Sequence, residues 1–299
     1  MPVRTRFLTW FTALAVLLMY APLSDAQQAV TRGWPLNADG SLKIYNDVGT
    51  IRVIGWDRDS IAVMGTIGTG GSMFGGGDRA GVKFGIEGNG SKNLTASDLV
   101  VHVPARARVW IRSASATIDV SAYAGPLDIA SVSGSVKIQG TPTEVRAESM
   151  NGTLDVTASP AYLRLKSATG AITWNGSSDD VGITTVSGRM TVNAGTVHRG
   201  RFESIDGEVR YRGSIGANGT IAVDTHSGNV LLAFTKGTNV QLDVSARGCE
   251  LFGVPLGQER VAKIPHPPKG FYKTLGKPSP VSPSFTVRTY KGYVTAVVQ

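Results

Sequence analysis

The sequence predicts an all-β protein: a β-solenoid, or right-handed β-helix-like stack, of two-strand rungs with a period near 18 residues. Three observations lead there. A Ser/Thr-x-x-Gly phrase recurs with its glycine at 134, 152, 170, 188, 207 and 228, spaced 18, 18, 18, 19 and 21 residues apart. A fixed period of this length marks strand-repeat arrays. Apolar residues stand two and four places after each glycine, as in Val136/Ile138, Leu154/Val156, Ile172/Trp174 and Met190/Val192. They also stand seven and five places before most of them, as in Leu127/Ile129, Val145/Ala147 and Leu163/Leu165. Spacing of two is strand periodicity, so each period holds two short strands with one face inward and the Ser/Thr-x-x-Gly phrase as their corner. Glycine admits φ > 0 at a tight corner, and a Ser or Thr hydroxyl can bond nearby backbone there.

Residues 1–26 lie outside this pattern. Arg4 and Arg6 form a basic head, an apolar run closes at Pro22, and Ser24 and Ala26 supply small residues at a cleavage position. That is a secretory signal, with cleavage expected between Ala26 and Gln27. No later apolar run is long enough to span a bilayer, so the mature chain 27–299 is expected to be one exported domain without a transmembrane segment. The periplasm is the expected compartment, with the cell surface or exterior open. The only cysteine, Cys249, excludes an internal disulfide and is expected to be a small buried filler.

The opening unit, residues 31–64, carries the repeat frame early: Leu42 and Ile44 precede a turn, and Ile51 and Val53 follow it. Residues 65–90 are glycine-rich, and without a helix start or Gly-Lys-Ser/Thr they are expected to be a flexible surface loop, not a phosphate cradle. The repeats occupy residues 99–252, with Ala116 at the first glycine position. Gly200 and Phe202 fill one pair with a single bulky residue, so that rung is expected to be thinner.

Residues 254–283 break the frame with seven of the chain's 14 prolines. Proline at this density excludes central strands and favours extended, exposed chain. The segment carries Arg260, Lys263, Lys269, Lys273 and Lys277 against Glu259, around Phe271 and Tyr272. Residues 284–298 then restore the frame once and are expected to close an open edge.

The leading residues 42–63, Val101-His-Val-Pro104 and the Ser-x-Ser-Gly repeats together resemble the exported "putative adhesin" β-strand-repeat family of unknown function, over roughly residues 31–298. The resemblance implies a β-solenoid-like fold at the bacterial envelope and brings no catalytic residues. Ala116 and the proline-rich insertion depart from the family pattern.

The formal charge of +8 falls to +7 without Arg4, Arg6 and Asp25. A basic exported protein suits an anionic envelope glycan, a lipid head group or another envelope protein as partner. Nucleic acid fits less well, since no reader motif occurs. The expected contact residues are Lys263, Lys269, Phe271, Tyr272, Lys273 and Lys277; a passive connector is the equal alternative for that segment. Neither metal nor cofactor is expected: His102, His198, His226 and His266 are scattered. The expected function is that of a non-catalytic exported envelope protein, an adhesin or scaffold binding anionic cell-envelope polymers or surfaces; the rival is a polysaccharide-active β-helix enzyme, hydrolase or lyase. Asp119 and Asp155 share an outward position two rungs apart, roughly 9.6 Å, near the separation used by inverting glycosidases. Lys137 stands between them, however, and an alternating-charge ladder is the plainer account.

Overall fold

The computed structural model describes residues 27–88, 90, 94–252, 269–275 and 281–299, with 251–252 and 269–274 described as backbone. All regular structure among them is strand. No helix there is long and apolar enough to cross a membrane.

Each central turn contributes one strand to each of two parallel sheets. The first sheet stacks Arg108–Ser113, Leu127–Ser131, Glu144–Ser149 and Tyr162–Ser167. The second stacks Thr117–Tyr123, Val136–Gly140 and Leu154–Thr157. Three longer strands, Ile172–Thr185, Met190–Ser204 and Val209–Thr225, continue through the return bend and serve both sheets. The ladders join equivalent positions: Val109, Leu127, Val145 and Leu163 in one file, and Ile118, Val136, Leu154 and Ile172 in another. A buried face follows from this alignment, because side chains that alternate along a strand repeat without slip across it. The inward pairs named above are buried to 3% exposure or less and form one core. The thin rung is filled differently from expectation. A Cβ on Gly200 would meet the Phe202 ring at 3.0 Å and Ile221 at 2.7 Å, so those two side chains occupy its space.

Most corner hydroxyls bond as expected, although Ser204 Oγ is buried without a partner among the described residues. Gly134, Gly152 and Gly188 donate their N–H groups to Ser131, Ser149 and Thr185 Oγ, each at 2.9 Å, and Ala116 donates to Ser113 at 2.8 Å. The reason for glycine is not the one expected. Gly49 in the opening rung has a left-handed φ of 115°, but none of the six repeat-corner glycines does. Each instead rests on the carbonyl of its counterpart one rung below, at a distance no Cβ could tolerate.

Both ends of the stack depart from chain order. Ser41–Asn46 and Gly49–Trp56 form a rung that pairs with 108–112 and 117–121 on one side. On the other side it pairs with Gly81–Gly88 and Ser97–Pro104. The glycine-rich stretch is thus not a loop. Gly71–Gly77 and Gly81–Gly88 form an antiparallel hairpin, because glycine still offers its N–H and C=O to a ladder and Met73, Phe74, Val82, Phe84 and Ile86 supply the packing.

At the far end, the rung of 220–225 and Val230–Phe234 pairs with Ser284–Thr289 and Tyr293–Val298, and only beyond those come Val240–Ala246 and Gly248–Phe252. The closing strands therefore insert inside the stack rather than cap it. Their apolar frame matches rungs on both sides, and Phe285 packs edge-on against Tyr211 and Phe234, with ring centroids 5.1 and 5.6 Å away.

Candidate functional site

The proline-rich insertion is not wholly irregular. Lys269–Leu275 is a strand running antiparallel to Val240–Ala246, and among the described residues it stands at the edge. These seven residues contain no proline, so the ladder loses no donor, whereas prolines stand on either flank. The register sets Lys269 opposite Ala246, Phe271 opposite Val244, Tyr272 opposite Asp243 and Lys273 opposite Leu242. Four of the six expected contact residues thus share one strand at the end of the first sheet. Lys263 and Lys277 lie outside the described residues, as does Ala26; Gln27 is exposed.

The carboxylate ladder is in the expected register, with Lys137 between Asp119 and Asp155. Neither carboxylate comes within ion-pair distance of Lys137. Of the histidines, His198 Nδ1 is 3.3 Å from Asp179 at the surface, and exposed His226 stacks on Tyr290. His102 stacks on Trp56, with ring centroids 5.1 Å apart. Cys249 is partly rather than fully buried, and its thiol is pushed up to about 11, first by burial and then by the charge of Glu250. A thiol raised in this way is a weaker nucleophile at neutral pH than an ordinary one.

Two features escaped the residue-by-residue reading. On the outer face of the first sheet, Asp180 joins Arg164 at 2.7 Å and Arg199 at 3.0 Å, while the Tyr162 ring centroid lies 5.2 Å from the Arg146 guanidinium and 4.0 Å from that of Arg164. On the outer face of the second, a shallow groove of about 360 Å³ runs between Arg210 and Arg212 on one side and Val297 and Gln299 on the other, floored by Leu231 and Ala233. Counting outward positions three and five places after each glycine would have set Arg210 beside Leu231 and Arg212 beside Ala233; the signal was present, but divided between two turns.

Structural comparison aligns the chain with crystal structures of proteins described as "putative adhesin". For the one from Parabacteroides distasonis, identity is 12% and the TM-score 0.47, covering 91% of this chain and 97% of that one. For Parabacteroides merdae the values are 10%, 0.46, 90% and 96%; for Bacteroides fragilis they are 11%, 0.45, 91% and 98%. No curated protein matches the sequence. Residues 69–252 match the profile of the Toastrack DUF4097 family, and the chain, with its repeating rungs and glycine-stacked corners, belongs to that family.

Proposed function

We propose that this protein is an exported, non-catalytic envelope module that binds anionic cell-envelope polymers. In this reading, its stack is a right-handed solenoid with rungs of about 18 residues, and the signal is cleaved after Ala26. The observation that carries it is the distribution of charge. Residues 254–283 hold five basic residues and one acidic residue, a net +4 of the +7 on the mature chain. Part of this segment is tied to the rigid stack by the pairing of Lys269–Leu275 with Val240–Ala246. Charge held on a fixed frame attracts a polyanion at a lower ordering cost than charge on a free tail.

The test is adsorption of the mature protein to an anionic envelope glycan fraction, comparing the parent with Lys263→Gln/Lys269→Gln/Lys273→Gln/Lys277→Gln. The expected outcome is weaker adsorption at low salt, with the difference closing at high salt. Equal adsorption at low salt would make the segment a connector.

A further inference from the structure

We infer that the outer face of Ser41–Asn46, Gly81–Gly88 and Arg108–Ser113 is a binding site for the acid groups of an acidic polysaccharide. This inference rests on the anionic-polymer reading but places a site at the opposite end of the stack. Register brings together residues far apart in sequence: Lys43 stands beside Lys83 on one flank and beside Trp110 on the other. Tyr45 and Phe74 both pair with Gly85. A Cβ on Gly85 would lie 2.7 Å from Tyr45 Cβ and 2.8 Å from the Phe74 ring, so glycine is what lets these rings come together over the sheet.

The cations here are partnered unlike the arginines in the middle of the same face. From Arg112 to Arg201 each arginine of this sheet's outer face has a carboxylate partner: Arg112 with Asp128, Arg146 with Glu144, Arg164 and Arg199 with Asp180, Arg201 with Glu203. Lys43, Lys83 and Arg108 have rings instead. Lys83 Nζ is 5.0 Å from the Tyr45 centroid and 5.5 Å from that of Phe74. Lys43 Nζ lies 5.6 Å and Arg108 Cζ 5.7 Å from the Trp110 ring. No carboxylate among the described residues is within 4.0 Å of any of the three. A ring face attracts a cation without cancelling its charge. Two lysines side by side across a ladder repel one another, a cost that an acid group between them would relieve.

The chemistry selects the ligand class. Three exposed cations can take carboxylate or phosphate groups, and half-buried Tyr45, Phe74 and Trp110 offer apolar ring area to the faces of sugar rings. The cations lie over the ring faces, and the three rings are half-buried rather than exposed as wedges. A sugar chain lying on the sheet therefore fits better than a bilayer. The basic strand Lys269–Leu275 is ten strands away along the first sheet, roughly 48 Å, so a short oligomer cannot reach both sites, whereas a long polymer can and would gain from the linkage.

The test titrates the full mature chain at low ionic strength with a short oligogalacturonate, with neutral dextran and with phosphatidylglycerol vesicles. Three proteins are compared: the parent, Lys43→Ser/Lys83→Ser, and the fourfold Lys→Gln variant of the insertion. The lysine pair variant should bind oligogalacturonate about tenfold more weakly or worse, with an unchanged unfolding midpoint and no change toward dextran. The insertion variant should keep its affinity for the short oligomer. Unchanged oligogalacturonate binding in the lysine pair variant overturns the site, as does a parent that does not bind the oligomer. A loss confined to vesicles also overturns it, assigning the cations to lipid head groups. Loss in the insertion variant alone overturns this site and leaves the proposed function standing; loss in the lysine pair variant alone supports this site, while the role of the insertion is decided by the adsorption of the long glycan described above.

Discussion

Gly152 rests on the carbonyl oxygen of Gly134, so closely that a Cβ built on it would fall far inside the 3.0 Å that real Cβ atoms keep. Gly170 lies in the same way on Gly152, and Gly188 on Gly170. The corner edge is a glycine spine in which backbone packs on backbone. Gly152→Ala should therefore destabilise by about 3 kcal/mol, as overpacking against an immovable atom does. Gly76→Ala is the control. Nothing lies within 4 Å of a Cβ at Gly76 and its φ is not left-handed, so that change should stay within about 0.5 kcal/mol. Chemical denaturation of the two variants checks both; equal, small losses would mean that the corner can spread.

Leu165 and Lys166 are adjacent in sequence and opposite in environment: Leu165 is fully buried and Lys166 exposed. Leu165→Asp buries a carboxylate among Ala147 and Ile183, its ladder neighbours, and should cost about 4 kcal/mol or more. Lys166→Asp faces Glu148 across the ladder and should cost only about 0.5 kcal/mol. Similar losses in denaturant midpoint for both would contradict the assigned faces.

The inward faces were legible because period-two alternation is a local signal and the glycine phrase fixes its phase in every turn. Trp174 and Met190 could be assigned to the core from spacing alone, and both are fully buried. Which rung stacks on which was not legible at the ends. Leu42 pairs with Val109, and Phe285 with both Ile221 and Leu242, yet all carry the same frame. A pattern that makes rungs interchangeable cannot name their neighbours. The same limit hid the cationic cluster, since Lys43, Lys83 and Arg108 meet only after that order is set. In residues 71–77, glycine content masked a strand: it weakens strand propensity but removes no ladder hydrogen bond.

Alkaline conditions should expose the buried acids. Burial raises the Tyr123 and Tyr211 hydroxyls well above their ordinary 10.0, and Cys249 rises from 9.0 to about 11. In the unfolded chain these groups release protons at their ordinary values, so between those values and the folded ones the unfolded state binds fewer protons. Stability is thus full below about pH 9 and falls as pH rises, first through Cys249 and then more steeply above 10 as both tyrosines contribute. The slope is at most roughly 1.4 kcal/mol per pH unit per group. Cys249→Ser should remove the early part of the decline. The Cys249 thiol should also react with alkylating reagents at pH 8 roughly a hundredfold more slowly than an ordinary thiol.

The insertion of the closing strands inside the stack makes a prediction that chain order would reverse. Ala222 pairs with Thr286, and Thr286 with Asp243, all three at positions alternating with buried neighbours. Adjacent parallel strands are about 4.8 Å apart, within the Cα separation a disulfide accepts, whereas Ala222 and Asp243 stand two strands apart at roughly 9.6 Å. In a Cys249→Ser background, Ala222→Cys/Thr286→Cys should cross-link under mild oxidation, and Ala222→Cys/Asp243→Cys should not. A stack in chain order, capped by its last strands, would give the opposite result. Energetics point the same way: Phe285 is fully buried between Tyr211 and Phe234, so Phe285→Ala should cost about 4 kcal/mol, the penalty of a mid-core aromatic. A strand that only covered an open edge would fray, and its loss would cost far less. A cross-link between 222 and 243, or a Phe285→Ala penalty below about 1 kcal/mol, would put residues 284–298 back at the end of the stack.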